Sequence, residues 1–335
     1  MDNTAMIGLA MVLVGGVCQA LFMLPAKWSK NWNFEHVWLT FSFFCYFLIP
    51  WLIVFLCVPS VKAVLSATPS QTLLMMGVYA TGWALAALSF GIGINIVGLS
   101  LGFAIIYGLA AFVGALVPLL TSHHGSLEKF FVILFCLFLM LLGVTFCSFA
   151  GRWREQNASS VEGGRYLRGV IFCIVSGLLG ATGNMGFVAG TGMADVAQAQ
   201  GLSNFAGGSL VLAYLCLFMF VFNGGYAVVL LIRNSSSDLL LTAKHSSYFI
   251  FSALMGLFWM AGFLLYGLGA RALGELGHSL GWGVLMCTVV ASANAIGMLS
   301  GEWRSAPRSA KRQLAAGIAL LIFAMAGLAA SNAMA

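Results

Sequence analysis

Ten long apolar stretches, separated by short polar connections, run along this chain. A helix rises ~1.5 Å per residue, so about 20 residues cross a hydrocarbon layer of ~30 Å. The pattern therefore predicts ten membrane-spanning helices, numbered here as spans 1 to 10. They cover about 5–25, 37–58, 71–90, 97–120, 128–150, 168–190, 205–232, 247–269, 276–299 and 312–332. We predict an all-α polytopic membrane protein.

The composition supports this class. Charged residues make up 7% of the chain and hydrophobic residues 61%, whereas a soluble protein has about 25% charged residues. The net charge of +6 is spread over short loops, so it does not indicate a nucleic-acid surface. The start, Met1-Asp2-Asn3, lacks the basic segment of a cleaved signal peptide, and we expect span 1 to be retained.

The basic residues lie mostly on one side of the predicted spans. The connections after spans 1, 3, 5, 7 and 9 hold 12 of the 15 Lys and Arg residues, and the other side holds Lys62, Lys129 and Arg271. Because cytoplasmic loops collect Lys and Arg, this split predicts a multi-pass protein of the cell (inner) membrane with both termini on the outer side.

Ten spans divide into two halves of five, at 1–150 and 168–335, with a cytoplasmic connection at 151–167. An odd number of spans per half places the halves in opposite orientations. A constant offset of 179 residues aligns two pairs of short segments, Met76–Tyr79 with Met255–Phe258 and 98–103 with 277–282. We therefore predict two inverted five-helix repeats, an architecture of secondary transporters whose substrate site lies near the membrane midplane.

The repeat breaks at two ionisable residues. At the offset of 179, Glu275 and His278 replace Ile96 and Leu99, and residues three apart share a helix face. We predict a proton-coupling site here, because a carboxyl group in a low-dielectric environment can bind and release a proton in each cycle. The alternative is a salt bridge between Arg271 and Glu275 beside an ordinary interface histidine.

Other ionisable residues fall in or near the connections. Asp195 lies in the predicted outer connection between spans 6 and 7, without a basic neighbour. We interpret it as a coupling acid, an outward gate or a solvated loop acid. Glu35 and His36 stand at the inner start of span 2, where we expect interfacial pairing with Lys27 and Lys30.

Uncharged polar and aromatic residues within the spans are candidates for substrate binding. Amides donate and accept hydrogen bonds, and aromatic rings offer flat faces with a polar edge. The candidates are Gln19, Trp83, Tyr107, Asn184, Asn204, Trp259, Tyr266, Trp282 and Asn294. This set suits a small neutral polyhydroxylated solute, whereas an organic anion would require an Arg or Lys inside the spans.

Tryptophan also forms belts at membrane interfaces. We expect this position for four tryptophans, Trp28, Trp32, Trp38 and Trp51. The belt is the alternative interpretation of the three tryptophans among the substrate-binding candidates.

Motifs of other functional classes are missing from the sequence. It has no GxxxxGK[ST] phosphate loop and no His, Cys and Asp group at metal-ligand spacing. The eight cysteines fall inside spans without a CxxC pair, and we interpret them as small buried apolar residues. We predict no enzymatic activity, no cofactor and no metal.

Several short motifs carry a family resemblance. They are Pro25-Ala-Lys27 followed by Trp32-x-x-Glu35, Ile49-Pro50-Trp51, Gly98-Leu-Ser100-Leu-Gly102, Gly114-x-Leu116-x-Pro118, the residues Trp259, Phe263, Tyr266 and Trp282, and Glu302-Trp303. These motifs extend over nearly the full length of the chain. In them, the chain resembles the L-rhamnose–proton symporter family of the drug/metabolite transporter superfamily. The resemblance implies ten helices with both ends outside and sugar uptake driven by a proton gradient.

The chain departs from that family at two places. The family pattern has a glutamine where Gly262 stands and a Trp-Gly-His run near Leu268-Gly269-Ala270. Without these polar groups, a related sugar or another small neutral metabolite stays open as the substrate.

Together, these patterns predict a secondary transporter that imports a monosaccharide, L-rhamnose or a related sugar, by proton symport through alternating access. The expected partners are the sugar, protons and the lipid bilayer, without nucleic acid or an obligate protein partner. Two alternatives stay open: an uncoupled facilitator or exporter of another small neutral metabolite, and a receptor that binds the sugar without moving it.

Overall fold

The computed structural model describes residues 3–97, 99–121, 127–154, 163–241 and 246–331, and throughout these ranges the regular elements are helices. Ten helical segments there are long and apolar enough to cross a membrane, at Asn3–Trp28, Phe34–Cys57, Ser70–Ile94, Gly102–Thr121, Leu127–Trp153, Tyr166–Ala199, Asn204–Arg233, Ser246–Ala272, Gly277–Leu299 and Arg308–Ser331. Each segment corresponds to one predicted span, and we number them as spans 1 to 10 as before. They confirm the prediction of an all-α polytopic membrane protein. Gly98 and residues 155–162, which belong to the repeat and connection predictions, lie outside the described residues.

Span 6 is longer than predicted. We expected its end near residue 190, but the segment continues as two consecutive helices, Gly163–Gly180 and Thr182–Ala199. The second helix is rich in glycine and polar residues, so its apolar signal fades before the helix ends. Gly201, with a φ of +82° in the left-handed region that glycine favours, follows its last turn. The predicted outer connection that contains Asp195 is therefore helical.

Span 2 contains a widened turn. It consists of the α-helix Phe34–Ser42, the π-helical segment Phe43–Leu48 and the α-helix Ile49–Cys57. Pro50 lacks a backbone N–H, so a regular α-helix would lose one hydrogen bond here. The π-helical segment packs against spans 7 and 8, and such segments are frequent at functional sites.

The spans of the two halves interleave. Span 1 lies along span 8, span 6 lies along span 3, span 5 packs against span 10, span 4 against span 9, and span 2 against span 7. Glycines permit the closest approach between spans 1 and 8. A Cβ at Gly15 would lie 2.7 Å from the Gly262 carbonyl oxygen, and one at Gly8 would lie 2.9 Å from that of Gly269. The halves therefore pack as one bundle.

Candidate functional site

A cavity of about 170 Å³ lies among spans 1 to 4 and 6 to 9, and we call it the central cavity. Five of the nine predicted substrate-binding residues line it: Gln19, Trp83, Tyr107, Trp259 and Trp282. It also has aromatic lining residues that the candidate set did not include: Phe22, Trp38, Tyr46, Phe90 and Phe263. The described side chains of the lining are uncharged.

Aromatic rings form one wall of the central cavity. Trp83 and Trp259 are stacked, with ring centroids 5.4 Å apart and an interplanar angle of 29°. The Phe263 ring lies 4.9 Å from that of Trp83 and 4.5 Å from that of Trp259. Trp282 donates from Nε1 to the Ala110 carbonyl at 2.9 Å. The three tryptophans are at most 9% exposed, which excludes the interfacial belt for them.

The polar groups of the central cavity are amides and hydroxyls. Gln19 is buried and donates from Nε2 to the Trp259 carbonyl at 2.8 Å. A Cβ at Gly262 would lie 2.5 Å from that Nε2, so the absence of a side chain at Gly262 leaves room for Gln19. The amide group at this position of the cavity therefore comes from span 1 and not from residue 262. The Tyr107 ring is half-buried, and none of the described residues hydrogen-bonds its hydroxyl.

A second cavity of about 310 Å³ continues the central cavity toward one end of the bundle. Four residues line both cavities, namely Gln19, Phe22, Tyr107 and Val289. Asn294, a further predicted substrate-binding residue, lines the second cavity, which extends to Gly151 and Glu302. The connections after the odd-numbered spans, with most of the Lys and Arg residues, are at this end. We call it the basic end.

A buried cluster of hydrogen bonds closes the opposite end of the bundle. Asn184 donates from Nδ2 to the carbonyls of Gly114 at 2.7 Å and His278 at 2.9 Å. Its Oδ1 accepts a hydrogen bond from the Tyr266 hydroxyl. Asn184 and Tyr266 are fully buried, and the groups they bind come from spans 4, 6, 8 and 9. The structure thus places these two predicted substrate-binding residues in the closed end, away from the cavity lining.

The predicted proton-coupling residues occupy different settings at this closed end. Asp195 was expected in a loop without a basic neighbour, but it lies in span 6 and accepts from Arg271 Nη2 at 2.8 Å, with its side chain 65% exposed. Glu275 is exposed in the turn before span 9. The predicted shared helix face of Glu275 and His278 and the alternative Arg271–Glu275 salt bridge are therefore both wrong. The Nε2 of His278 is buried without a partner among the described atoms.

Asn204 was predicted inside a span but lies at the surface. It is the first residue of span 7, is exposed, and accepts a hydrogen bond from Gln198 Nε2. Neither cavity includes it in its lining. An apolar stretch locates a helix well but not its first turn, where polar residues begin to face water.

Two tryptophans expected in the interfacial belt pack against other residues of the protein. Trp32 is only 6% exposed, and Trp38 lines the central cavity and donates from Nε1 to Asn223 Oδ1 at 3.3 Å. Trp38 shares a helical face with Phe41 and Cys45, which are completely buried. This spacing of three and four residues is the sequence pattern that could have indicated a Trp38 facing the interior.

The expected pairing of Glu35 and His36 with Lys27 and Lys30 is also wrong. Lys27 forms an ion pair with Glu302 at 2.8 Å. Glu35 instead accepts hydrogen bonds from two residues that follow span 7, Asn234 and Ser236.

Comparison with known proteins adds independent information. A family model described as "L-rhamnose-proton symport protein (RhaT)" matches residues 1–333. The proteins named L-rhamnose-proton symporter from Yersinia pestis (strain Pestoides F) and Cronobacter sakazakii (strain ATCC BAA-894) are each 25% identical, over 340 and 342 residues, and 97% of each chain is covered. A solved structure named "Crystal structure of protein" has a TM-score of 0.64 at 12% identity, covering 96% of this chain and 95% of that one, which shows a shared fold.

Proposed function

Because this chain belongs to the L-rhamnose-proton symporter family, we propose that it carries L-rhamnose or a related sugar into the cell together with protons by alternating access. The match over residues 1–333 confirms the resemblance inferred from the short motifs. A member of this family is a transporter and not an enzyme. The observation that carries the proposal is the uncharged, aromatic central cavity in the middle of the bundle.

The lining of the central cavity favours a small neutral solute. The faces of Trp83 and Trp259 offer apolar platforms for the C–H surface of a sugar ring. Gln19 and Tyr107 supply groups that can hydrogen-bond to sugar hydroxyls. A charged substrate would require a counter-charge, which the described lining lacks. Asn294 lies on the path from this cavity to the basic end.

The positions of the cavities support an inward-open conformation. Cytoplasmic loops are rich in Lys and Arg, so the basic end faces the cytoplasm and both termini lie outside, in the inner membrane. The second cavity then joins the substrate site to the cytoplasm, while the Asn184 cluster closes the outer end. In the outward-open conformation, the spans joined by Asn184 would separate and those around Asn294 would close.

The packing of the spans supports two inverted repeats as the moving units. A two-fold axis that exchanges spans 1–5 with spans 6–10 maps the contact of span 1 with span 8 onto that of span 6 with span 3. The same axis maps the contacts between spans 2 and 7, 4 and 9, and 5 and 10 onto themselves. Two halves related in this way can exchange conformations and so open one site to either side.

Uptake of labelled L-rhamnose and a small sugar panel into proteoliposomes tests this proposal. A membrane potential supplies roughly 2.3 kcal/mol per charge per 100 mV, so one proton per sugar supports roughly 50-fold accumulation at 100 mV. We expect accumulation that a protonophore abolishes. Equilibration of the sugar that the protonophore does not affect would contradict symport and indicate a facilitator. No uptake of any sugar would contradict the proposed substrate class.

A further inference from the structure

Glu35 is the only buried carboxylate in the part of the chain that the structure describes, with 4% of its surface exposed. Its neighbour His36 is completely buried. Both residues lie in the first turn of span 2, at the basic end. Buried ionisable side chains are costly in a membrane protein and mark ion or proton pathways.

These two side chains join span 2 to the connection after span 7. Glu35 Oε1 accepts hydrogen bonds from Asn234 Nδ2 at 3.1 Å and from Ser236 Oγ at 2.8 Å. His36 Nε2 lies 2.7 Å from the Ser236 carbonyl oxygen, and His36 Nδ1 accepts from the Asn33 backbone N–H at 3.2 Å. Because Nδ1 is an acceptor, the neutral tautomer with its proton on Nε2 satisfies both ring nitrogens.

We infer that Glu35 binds the transported proton, and that its contact with Asn234 and Ser236 is a latch that the proton weakens. This inference rests on the proposed symport function. An ionised carboxylate accepts both hydrogen bonds strongly. A protonated carboxyl group is a weaker acceptor, and its own O–H group needs a hydrogen-bond acceptor. The observed contact then corresponds to the state after the proton has been released to the cytoplasm.

The latch is connected to the central cavity through one helical turn. Glu35 and Trp38 are three residues apart and share a helix face, and Trp38 lines the central cavity. Trp38 also donates to Asn223 of span 7, and Thr40 Oγ1 lies 2.7 Å from Ser252 Oγ of span 8. Release of the latch would therefore move Trp38 and with it one wall of the central cavity.

Other ionisable groups lie on the elements around Glu35. They are His36 on its own helix, Arg233 and Asp238 beside the Asn234–Ser236 turn, Tyr248 at the start of span 8, and Lys27 and Lys30 before span 2. Lys27 is paired with Glu302. The hydrogen bonds of His36 fit the neutral ring. This leaves Glu35 as the group whose charge changes in the latch.

The test compares Glu35→Gln with Glu128→Gln in proteoliposomes. Glu128 is a matched control, because it is an exposed glutamate in the first turn of span 5. Two assays use labelled L-rhamnose: accumulation under an imposed proton gradient, and exchange of internal for external sugar without a gradient. Exchange requires sugar binding and alternating access but no net proton movement.

We expect Glu35→Gln to exchange rhamnose as the wild type does, while its accumulation falls from roughly 50-fold to about equal concentrations. Glu128→Gln should retain both activities. Accumulation by Glu35→Gln at the wild-type level would overturn the inference, as would loss of exchange in a folded variant. A wild-type protein that exchanges but never accumulates rhamnose would contradict the proposed symport itself, a separate failure.

If Glu35→Gln does not fold, Ser236→Ala takes its place. This variant keeps the carboxylate and removes one hydrogen-bond donor to its ionised form. Proton binding then becomes easier, so the pH profile of rhamnose accumulation should shift toward higher pH with exchange preserved. A pH profile identical to that of the wild type would overturn the inference.

Discussion

The hydroxyl of Tyr266 donates a hydrogen bond to Asn184 at the closed end of the bundle. The same Asn184 side chain binds backbone carbonyls of spans 4 and 9, so one residue of span 6 is joined to three other spans. Both side chains are fully buried, and water cannot replace a hydrogen bond lost there. A single amide therefore links four spans at this end.

Replacing the Tyr266 hydroxyl should destabilise the protein. Tyr266→Phe leaves the Asn184 Oδ1 acceptor without its donor, at a cost of about 1–3 kcal/mol for an unsatisfied buried group. Thermal unfolding in detergent measures the effect. The control is Tyr226→Phe, at a partly exposed tyrosine of span 7, and equal unfolding midpoints for the two variants would show that the buried hydrogen bond contributes little.

Removing one aromatic face should weaken sugar binding. Trp83→Leu removes the ring that stacks on Trp259 in the central cavity. Aromatic contacts contribute ~0.5–1.5 kcal/mol beyond their buried area, so we expect the half-saturating rhamnose concentration to rise about tenfold. Half-saturation of exchange provides the measurement, with the exposed Trp153→Leu as the control. An unchanged value for Trp83→Leu would mean that the sugar binds elsewhere.

A methyl group at Gly114 should displace Trp282. The new Cβ would lie 2.3 Å from Trp282 Nε1, which forces the ring away from its hydrogen bond to Ala110. Overpacking of this kind costs ~1–3 kcal/mol, and we expect both stability and sugar exchange to fall in Gly114→Ala. Gly225→Ala has no atom within 4 Å of the new Cβ and should leave both unchanged. Unchanged stability and sugar exchange in Gly114→Ala would argue against a fixed position of the Trp282 ring in the cavity.

Neutralising the exposed acids of the closed end should leave proton coupling intact. Asp195 is 65% exposed and Glu275 lies in an exposed turn, so neither has the low-dielectric surroundings that the coupling hypothesis requires. The Asp195–Arg271 ion pair is worth at most ~1 kcal/mol at such exposure. Gradient-driven accumulation by Asp195→Asn and Glu275→Gln provides the measurement. Its loss in either variant, with exchange preserved, would support the prediction made from the sequence.

The sequence predicted some cavity residues and missed others for a common reason. Trp83, Trp259 and Trp282 lie well inside their spans and were selected, whereas Trp38 lies near a span end and was assigned to the interfacial belt. A tryptophan near a span end has the same local sequence signal in both positions. Span 6 was predicted too short because its glycine-rich second helix is held by contacts with spans 3, 4 and 7 as well as by apolarity.

The sequence by itself determined the all-α class, the number of spans and the concentration of basic residues in the connections after the odd-numbered spans. Those properties follow from the transfer of individual residues between water and lipid, which is nearly additive along the chain. Only the tertiary structure decided which polar groups meet, such as Glu35 with Asn234 and Ser236 or Asn184 with Tyr266. Such pairs are about 80 to 200 residues apart in the chain, and the packing of whole helices, rather than any local pattern, brings them together.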